Sequence, residues 1–300
     1  CRFASKIPLN PIGCGFEVLY NPNIDILSKA LKSLTSQVNE ICIVDNSENS
    51  NEKLLENFTN IHYIPLYKNI GIAAAQNIAI KYFQEQHYDF VLFSDQDSIA
   101  QDNLVNELYI SYNILKNYID IAAIGPLPIN RESNKPYIYE KCIIDILRKE
   151  LNPLSTDAYI MHSIISSFSL VPLKNFQIVG GMREELFIDF VDQEWCWRAA
   201  FYHNLKSVLL SNLSISHALG EGDKIFLKKR IKISSSFRIY FQYRNFLWLK
   251  NKEFVPRYWI KMNTKKFIFK TLYYPLFVSP RYKYLKRILP MAPLIRQNYQ

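Results

Sequence analysis

The chain has 300 residues, 49% of them apolar and 21% charged, enough to bury a full core in one large domain or one domain with an appendage. It contains no run of about 18 to 20 uncharged apolar residues, which argues against a membrane-spanning helix. Five cysteines without a CxxC pair argue against a disulfide framework or a zinc site.

Beta and alpha signals alternate along the first part of the chain. GFEVLY (15–20) reads as a strand, DILSKALKSLTS (25–36) as an amphipathic helix and EICIVDNS (40–47) as a second strand. Cys42 in this last run is expected in the core. IHYIPL (61–66) and DFVLFSD (89–95) follow as strands, with helices at GIAAAQNIAIKYFQEQ (71–86) and DNLVNELYISYNILKNY (102–118). Near-continuous apolar strands between helices predict an α/β fold with a mostly parallel sheet covered on both faces. Such sheets bind ligands at the carboxyl ends of their strands. Tyr20 and Asn21, Asp45 and Asn46, Asn69 and Gly71, and Asp95, Gln96 and Asp97 are therefore expected along one edge.

FVLFSDQDS (90–98) poses the sharpest chemical question, because four apolar residues run into two carboxylates near the core, where an unpaired charge is costly. Something cationic is expected beside them. Hard carboxylate oxygens suit Mg2+ or Mn2+, which bind few protein groups and take the remaining ligands from water and phosphates. The alternative is that Asp95 and Asp97 cap the next helix, but Asp102 is expected to do that. Asp45 and Asn46 either read a ligand or form an Asx-turn.

IVDNSENS (43–50), YKNIGIAAAQN (67–77), FSDQDS (93–98) and LFIDFVDQEWCWRA (186–199), in this order, resemble family 2 glycosyltransferases of the GT-A fold, and most of all the bacterial rhamnosyltransferases that build O-antigen and capsular polysaccharide. The resemblance spans roughly residues 12 to 250. It implies an inverting, metal-dependent transfer of a sugar, rhamnose from dTDP-rhamnose first and a hexose from a UDP-sugar second, onto a glycan acceptor carried on polyprenyl diphosphate. Carried over residue by residue, it makes Asp97 the direct ligand of Mg2+ or Mn2+, with Asp95 on the metal or the ribose side, and His217 in LSISHALGEG a third metal-site residue. Asp45 becomes a nucleotide contact, joined in the donor pocket by Tyr20, Asn21, Asn46, Asn69, Gly71, Asn77 and Gln96. Gly181, after Gly180, is expected to pass under the donor sugar, and Arg244 in YFQYRNFLWL to reach a phosphate.

Five acids fall between Glu184 and Glu194, and grouped carboxylates raise one another's pKa. An inverting transferase needs one such base to take the acceptor's proton. The family pattern places it at Asp192, with Asp189 and Glu194 as runners-up and a helix cap as the structural alternative. Trp195 and Trp197 stack on a sugar or belong to the core.

From Lys224 to Gln300 the chain carries 19 Lys or Arg and a single acid, Glu253, against 17 bases and 26 acids before it. A boundary is expected near 222, with a GT-A domain over 1–222 and a basic, aromatic-rich helical region over 223–300. Lys and Arg interleaved with aromatics suit an anionic membrane surface, so the enzyme is expected to be cytoplasmic and peripheral at the inner membrane face. Cys1 at the start, with no methionine and no export signal, fits a trimmed N-terminus in that compartment. A non-catalytic nucleotide or nucleic-acid binding protein is the alternative of another class; it leaves two acidic motifs at strand ends unexplained, because carboxylates repel phosphate.

Overall fold

The computed structural model describes residues 12–130, 136, 142–147, 158–217, 223–226, 229–232, 234–278 and 280–288. Strands β1 (Ile12–Leu19), β2 (Glu40–Asp45), β3 (Ile61–Pro65) and β4 (Phe90–Ser94) alternate with helices α1 (Ile24–Leu34), α2 (Ile72–Glu85) and α3 (Leu104–Leu115), as the sequence predicts. These four strands pair in parallel in the order β3-β2-β1-β4. Alternate side chains of β2 and β4 enter different cores: Cys42, Val44, Val91 and Phe93 pack on one face, Ile41, Ile43, Phe90 and Leu92 on the other. A strand buried on both faces reads as a continuous apolar run, which is why these elements were recognisable.

The second half of the sheet is mixed. Strands β5 (Ile121–Asn130), β6 (Ile143–Leu147), β7 (Ala158–Met161), β8 (Leu170–Pro172) and β9 (Lys206–His217) extend it in the order β4-β8-β5-β9-β7-β6. Only β5 and β9 pair in parallel there; the other pairs are antiparallel. A short hairpin, β10 (Asp223–Phe226) with β11 (Lys229–Lys232), stands apart.

Helices α1 and α3 cover one face; α2, α4 (Leu173–Val179) and α5 (Val191–His203) cover the other. The basic region folds into α6 (Ser236–Leu249), α7 (Arg257–Phe277) and α8 (Arg281–Ile288). Its Tyr243, Phe246, Trp259, Phe267 and Tyr274 are buried in the same core as α2 and α5. No described helix is long and apolar enough to cross a membrane.

One local expectation fails, and one open alternative is decided. Asp102 does not cap α3: the cap is Asn103 in the left-handed region (φ 67°) without a side-chain bond, and the N–H of Val105 is satisfied from afar by Gln37 Oε1 at 3.2 Å. Trp195 and Trp197 are core residues, 1% and 2% exposed, and Trp195 Nε1 donates to the Gly180 carbonyl, so neither offers a face to a sugar.

Candidate active site

The loops at the carboxyl ends of β1 to β4 meet as expected, and their own hydrogen bonds tie them together. Tyr20 N–H donates to Gln96 Oε1 (3.0 Å), and Asn21 N–H to Ser47 Oγ (3.0 Å). Asn46 spans to the next loop, accepting from Ile70 N–H and donating Nδ2 to the Gly71 carbonyl, both at 3.2 Å. Asn69 Oδ1 caps Gly71 N–H, an Asx-turn. Asp45 is 1% exposed and accepts from Ser47 N–H, Asn51 and the Tyr63 hydroxyl. Burial pushes its pKa up, yet the hydrogen bonds from Tyr63, Ser47 and Asn51 outweigh burial and hold it below the usual carboxylate value. The Asx-turn expected as the alternative for Asp45 is therefore present.

Asp95, Gln96 and Asp97 form a turn directly after β4, all three partly exposed, and the Ser98 N–H closes it on the Asp95 carbonyl at 3.2 Å. Two partly exposed carboxylates on one turn are a hard-oxygen donor pair that fits a divalent cation whose other ligands are phosphate and water. No group of three or more His, Cys, Asp and Glu able to hold a metal occurs among the described residues. His217 ends β9 opposite Asn130; its side chain lies outside the described residues.

The segment before α5 packs between the start of α2 and α6. Asn77 of α2 clasps it, accepting from Met182 N–H (2.7 Å) and donating to the Met182 carbonyl and Glu184. Gly181 lies against this clasp, since a Cβ there would sit 2.7 Å from Asn77 Oδ1. Gly71 is pressed in the same way by Phe187, whose carbonyl accepts the Ile72 N–H at 2.7 Å, so the first N–H of α2 is already used. From the opposite side Asn245 of α6 donates to the carbonyls of Leu186, Ile188 and Asp189, and Arg244 to those of Glu185 and Leu186. Arg244 thus grips the loop in this structure. Phe187, Asp189 and Phe190 all take positive φ (64°, 64° and 69°), an unfavourable backbone that persists because both flanks hold it.

Of the three candidate bases, two are occupied. Glu194, wholly buried, is bonded to Arg183 (2.9 Å) and Arg198 (2.8 Å). Asp189 is held by Arg238 through Nε and Nη2 at 2.9 to 3.1 Å. Asp192 lies within the first turn of α5, past the cap position, which belongs to Phe190. Among the described residues it accepts from backbone N–H groups, those of Ser166 (3.3 Å) and Gln193 (2.8 Å), beside a narrow cavity lined by Phe93, Met182 and Cys196. Burial pushes its pKa up to about 6; the two N–H groups pull the other way, and Asp95 and Asp189 add to the rise. A carboxylate so poised can accept a proton near neutral pH.

Comparison with known proteins identifies the family and the fold. Residues 18–162 match Glycosyl transferase family 2. Over 277 residues, 90% of each chain, the sequence is 31% identical to the dTDP-rhamnosyl transferase RfbF of Shigella flexneri. The chain belongs to the family 2 glycosyltransferases. The glycosyltransferase is also 26% identical over 239 residues to the low-salt glycan biosynthesis hexosyltransferase Agl10 of Haloferax volcanii, covering 76% of this chain and 72% of that one. Its fold is similar to that of S. aureus TarS 1–349 in complex with UDP-GlcNAc, with a TM-score of 0.60 at 14% identity over 95% of this chain and 81% of that one. It is also similar to GalNAc-T7 with UDP, GalNAc and Mn2+ (TM-score 0.56, 12% identity), covering 83% of this chain and about half, 52%, of that one. At such identities the likeness shows the GT-A fold alone. Family membership sets aside the non-catalytic nucleic-acid binder.

The residues that the sequence reading missed are Ser166, Phe187, Arg238 and Asn245. Asn245 stood beside Arg244 in the motif that drew attention, and the asparagine makes more bonds to the loop before Asp192. Nothing in the sequence marks Ser166, whose backbone meets Asp192 only through the fold.

Proposed function

We propose that this glycosyltransferase moves rhamnose from dTDP-rhamnose onto a glycan acceptor by a single inverting displacement. The likeness to the dTDP-rhamnosyl transferase RfbF along nine tenths of both chains carries the donor. Asp192 is the base: it takes the proton of the acceptor hydroxyl as that oxygen attacks the anomeric carbon, and the sugar–phosphate bond breaks on the opposite face. Its raised pKa and the engagement of Asp189 and Glu194 with arginines support this role.

Asp97, with Asp95 and His217, would hold Mg2+ or Mn2+, which would neutralise charge developing on the departing diphosphate. Tyr20, Asn21, Asp45, Asn46, Asn69, Gly71, Asn77, Gln96, Gly181 and Arg244 border the donor pocket. The acceptor is carried on polyprenyl diphosphate, and the region 223–300 docks on the inner face of the membrane. Exposed Phe269, Leu272, Leu276 and Phe277 on α7 beside numerous Lys and Arg support that placement.

Titration calorimetry tests the reading, with dTDP-rhamnose, UDP-glucose and UDP-galactose against the intact chain and Asp97→Ala, each with and without Mn2+ or Mg2+. Binding selective for dTDP-rhamnose, dependent on metal and lost in the variant, is the expected result. Tighter binding of a UDP-sugar would overturn rhamnose, and metal-independent binding would overturn the role of Asp97.

A further inference from the structure

Among the described residues, four Phe or Tyr residues take a positive φ, a backbone region that L side chains other than Asn and Asp seldom enter. Three of them are anchored in the protein. Phe168 is wholly buried, Phe187 stacks on Phe241 at 4.6 Å, and Phe190 meets Trp259 edge-on at 5.1 Å. Tyr67 (φ 54°) differs, because it is 62% exposed and no described residue makes a hydrogen bond or a ring contact with its side chain. Gly or Asn would hold the same turn with less strain. An unfavourable backbone persists where something outweighs it, and for this ring the fold supplies nothing that does.

The surrounding hydrogen bonds fix where the ring is presented. Leu66 N–H donates to the Asp45 carbonyl (2.9 Å) and Ile70 N–H to Asn46 Oδ1 (3.2 Å), so the chain on both sides of Tyr67 is tied to the end of β2. Tyr20 is bracketed in the same way on the other flank. There Asn46 N–H donates to the Leu19 carbonyl (2.8 Å) and Asn21 N–H to Ser47 Oγ (3.0 Å). Tyr20 is 49% exposed, and β2 lies between β3 and β1. Two exposed tyrosines therefore flank one polar strand end, that of Asp45, Asn46 and Ser47. We propose that Tyr67 stacks on the nucleobase of the sugar donor, from the flank opposite Tyr20, a proposal that rests on the donor reading given above.

The order of the strands decides which part of the donor meets Tyr67. Asp95 and Asp97, proposed to hold the metal and through it the diphosphate, follow β4 at one end of the parallel half, whereas Tyr67 follows β3 at the other. The part of a nucleotide sugar remote from its reacting centre is the base. A base is also the planar part, with π faces that stack on aromatic side chains.

Calorimetric titration of the full chain in Mg2+ tests the assignment, with dTDP, UDP and inorganic pyrophosphate as ligands. Tyr67→Gly, which removes the ring and suits the backbone, should weaken dTDP about tenfold, the loss of one base–aromatic stack. Its melting temperature should hold or rise, and its pyrophosphate affinity should stay unchanged, because pyrophosphate has no base. Tyr67→Phe keeps the ring and should bind dTDP as the unaltered chain does. Undiminished dTDP binding in Tyr67→Gly would overturn the proposal. So would a lowered melting temperature, which assigns the ring to the fold, or parallel loss of pyrophosphate, which assigns it to the diphosphate. A Tyr67→Phe variant as weak as Tyr67→Gly would replace stacking with a hydroxyl contact and overturn it too. An unaltered chain that binds UDP in place of dTDP is a separate result, which removes rhamnose and leaves this residue, whose glycine variant then weakens UDP to the same extent.

Discussion

Asp192 concentrates two opposing demands in one side chain. Its folded-state pKa, about 6, lies above its ordinary value, so the folded protein holds a proton that the unfolded chain has released over the interval between them. Stability from this group is present at low pH and lost as pH rises through about 6. Catalysis runs the other way, because only the ionised carboxylate can accept a proton. Asp192→Asn is therefore expected to lower turnover by about a hundredfold or more while raising the melting temperature at pH 8, a gain that disappears by pH 4. Thermal scans at both pH values beside a turnover assay check this, and a melting temperature lowered at pH 8 would contradict it. In the unaltered enzyme the rate should fall about tenfold per pH unit below 6. The sequence brought Asp192 forward through its pattern; Arg198 follows Glu194 by one turn of α5, but Arg183 and Arg238 reach Glu194 and Asp189 from outside that helix, and only folding shows which of the three acids remains available.

At the scale of elements, the loop of residues 181–190 is held by Asn77 on one flank and Asn245 on the other. Gly71 is its tightest neighbour: φ is 91°, and a Cβ would fall 2.6 Å from Phe187 Cδ2 and 2.8 Å from the Phe187 carbonyl oxygen. Gly71→Ala should cost about 1–3 kcal/mol and displace the loop, measured as a lower urea midpoint together with reduced turnover. A variant of unchanged stability and rate would show that the loop yields easily. The parallel strands and their helices were legible because doubly buried strands and amphipathic helices leave long periodic signals. Strands β7 and β8, of four and three residues, are too short to leave one, and their antiparallel pairing was not read from sequence. The positive φ values at Phe187, Asp189 and Phe190 were equally hidden, since tertiary bonds and not local propensity impose them.

Across the whole molecule, acids concentrate before residue 224 and bases after it, yet the basic helices share a core with the sheet. Their outer surface is a different matter. Leu272 and Leu276 are 64% and 58% exposed on α7. Leu272→Glu combined with Leu276→Glu should reduce association with phosphatidylglycerol vesicles at least about tenfold, and association of the unaltered chain should weaken with added salt. Cosedimentation reads both effects. Retention of the double variant on the vesicles would remove α7 from the docking surface.

The hold of Asn245 on Leu186, Ile188 and Asp189 also bears on how the enzyme is born. During synthesis the parallel half and the Asp95 turn emerge first, and α5 with the proposed base follows, but Asn245, the second residue to hold the loop before it, arrives later still. A nascent chain lacking α6 would have all nine strands of its sheet but only Asn77, of the two asparagines that hold the loop before the proposed base. The helix that looks like an appendage supplies the last fastening of that loop, so a growing polypeptide is expected to stay idle until the fastening is translated.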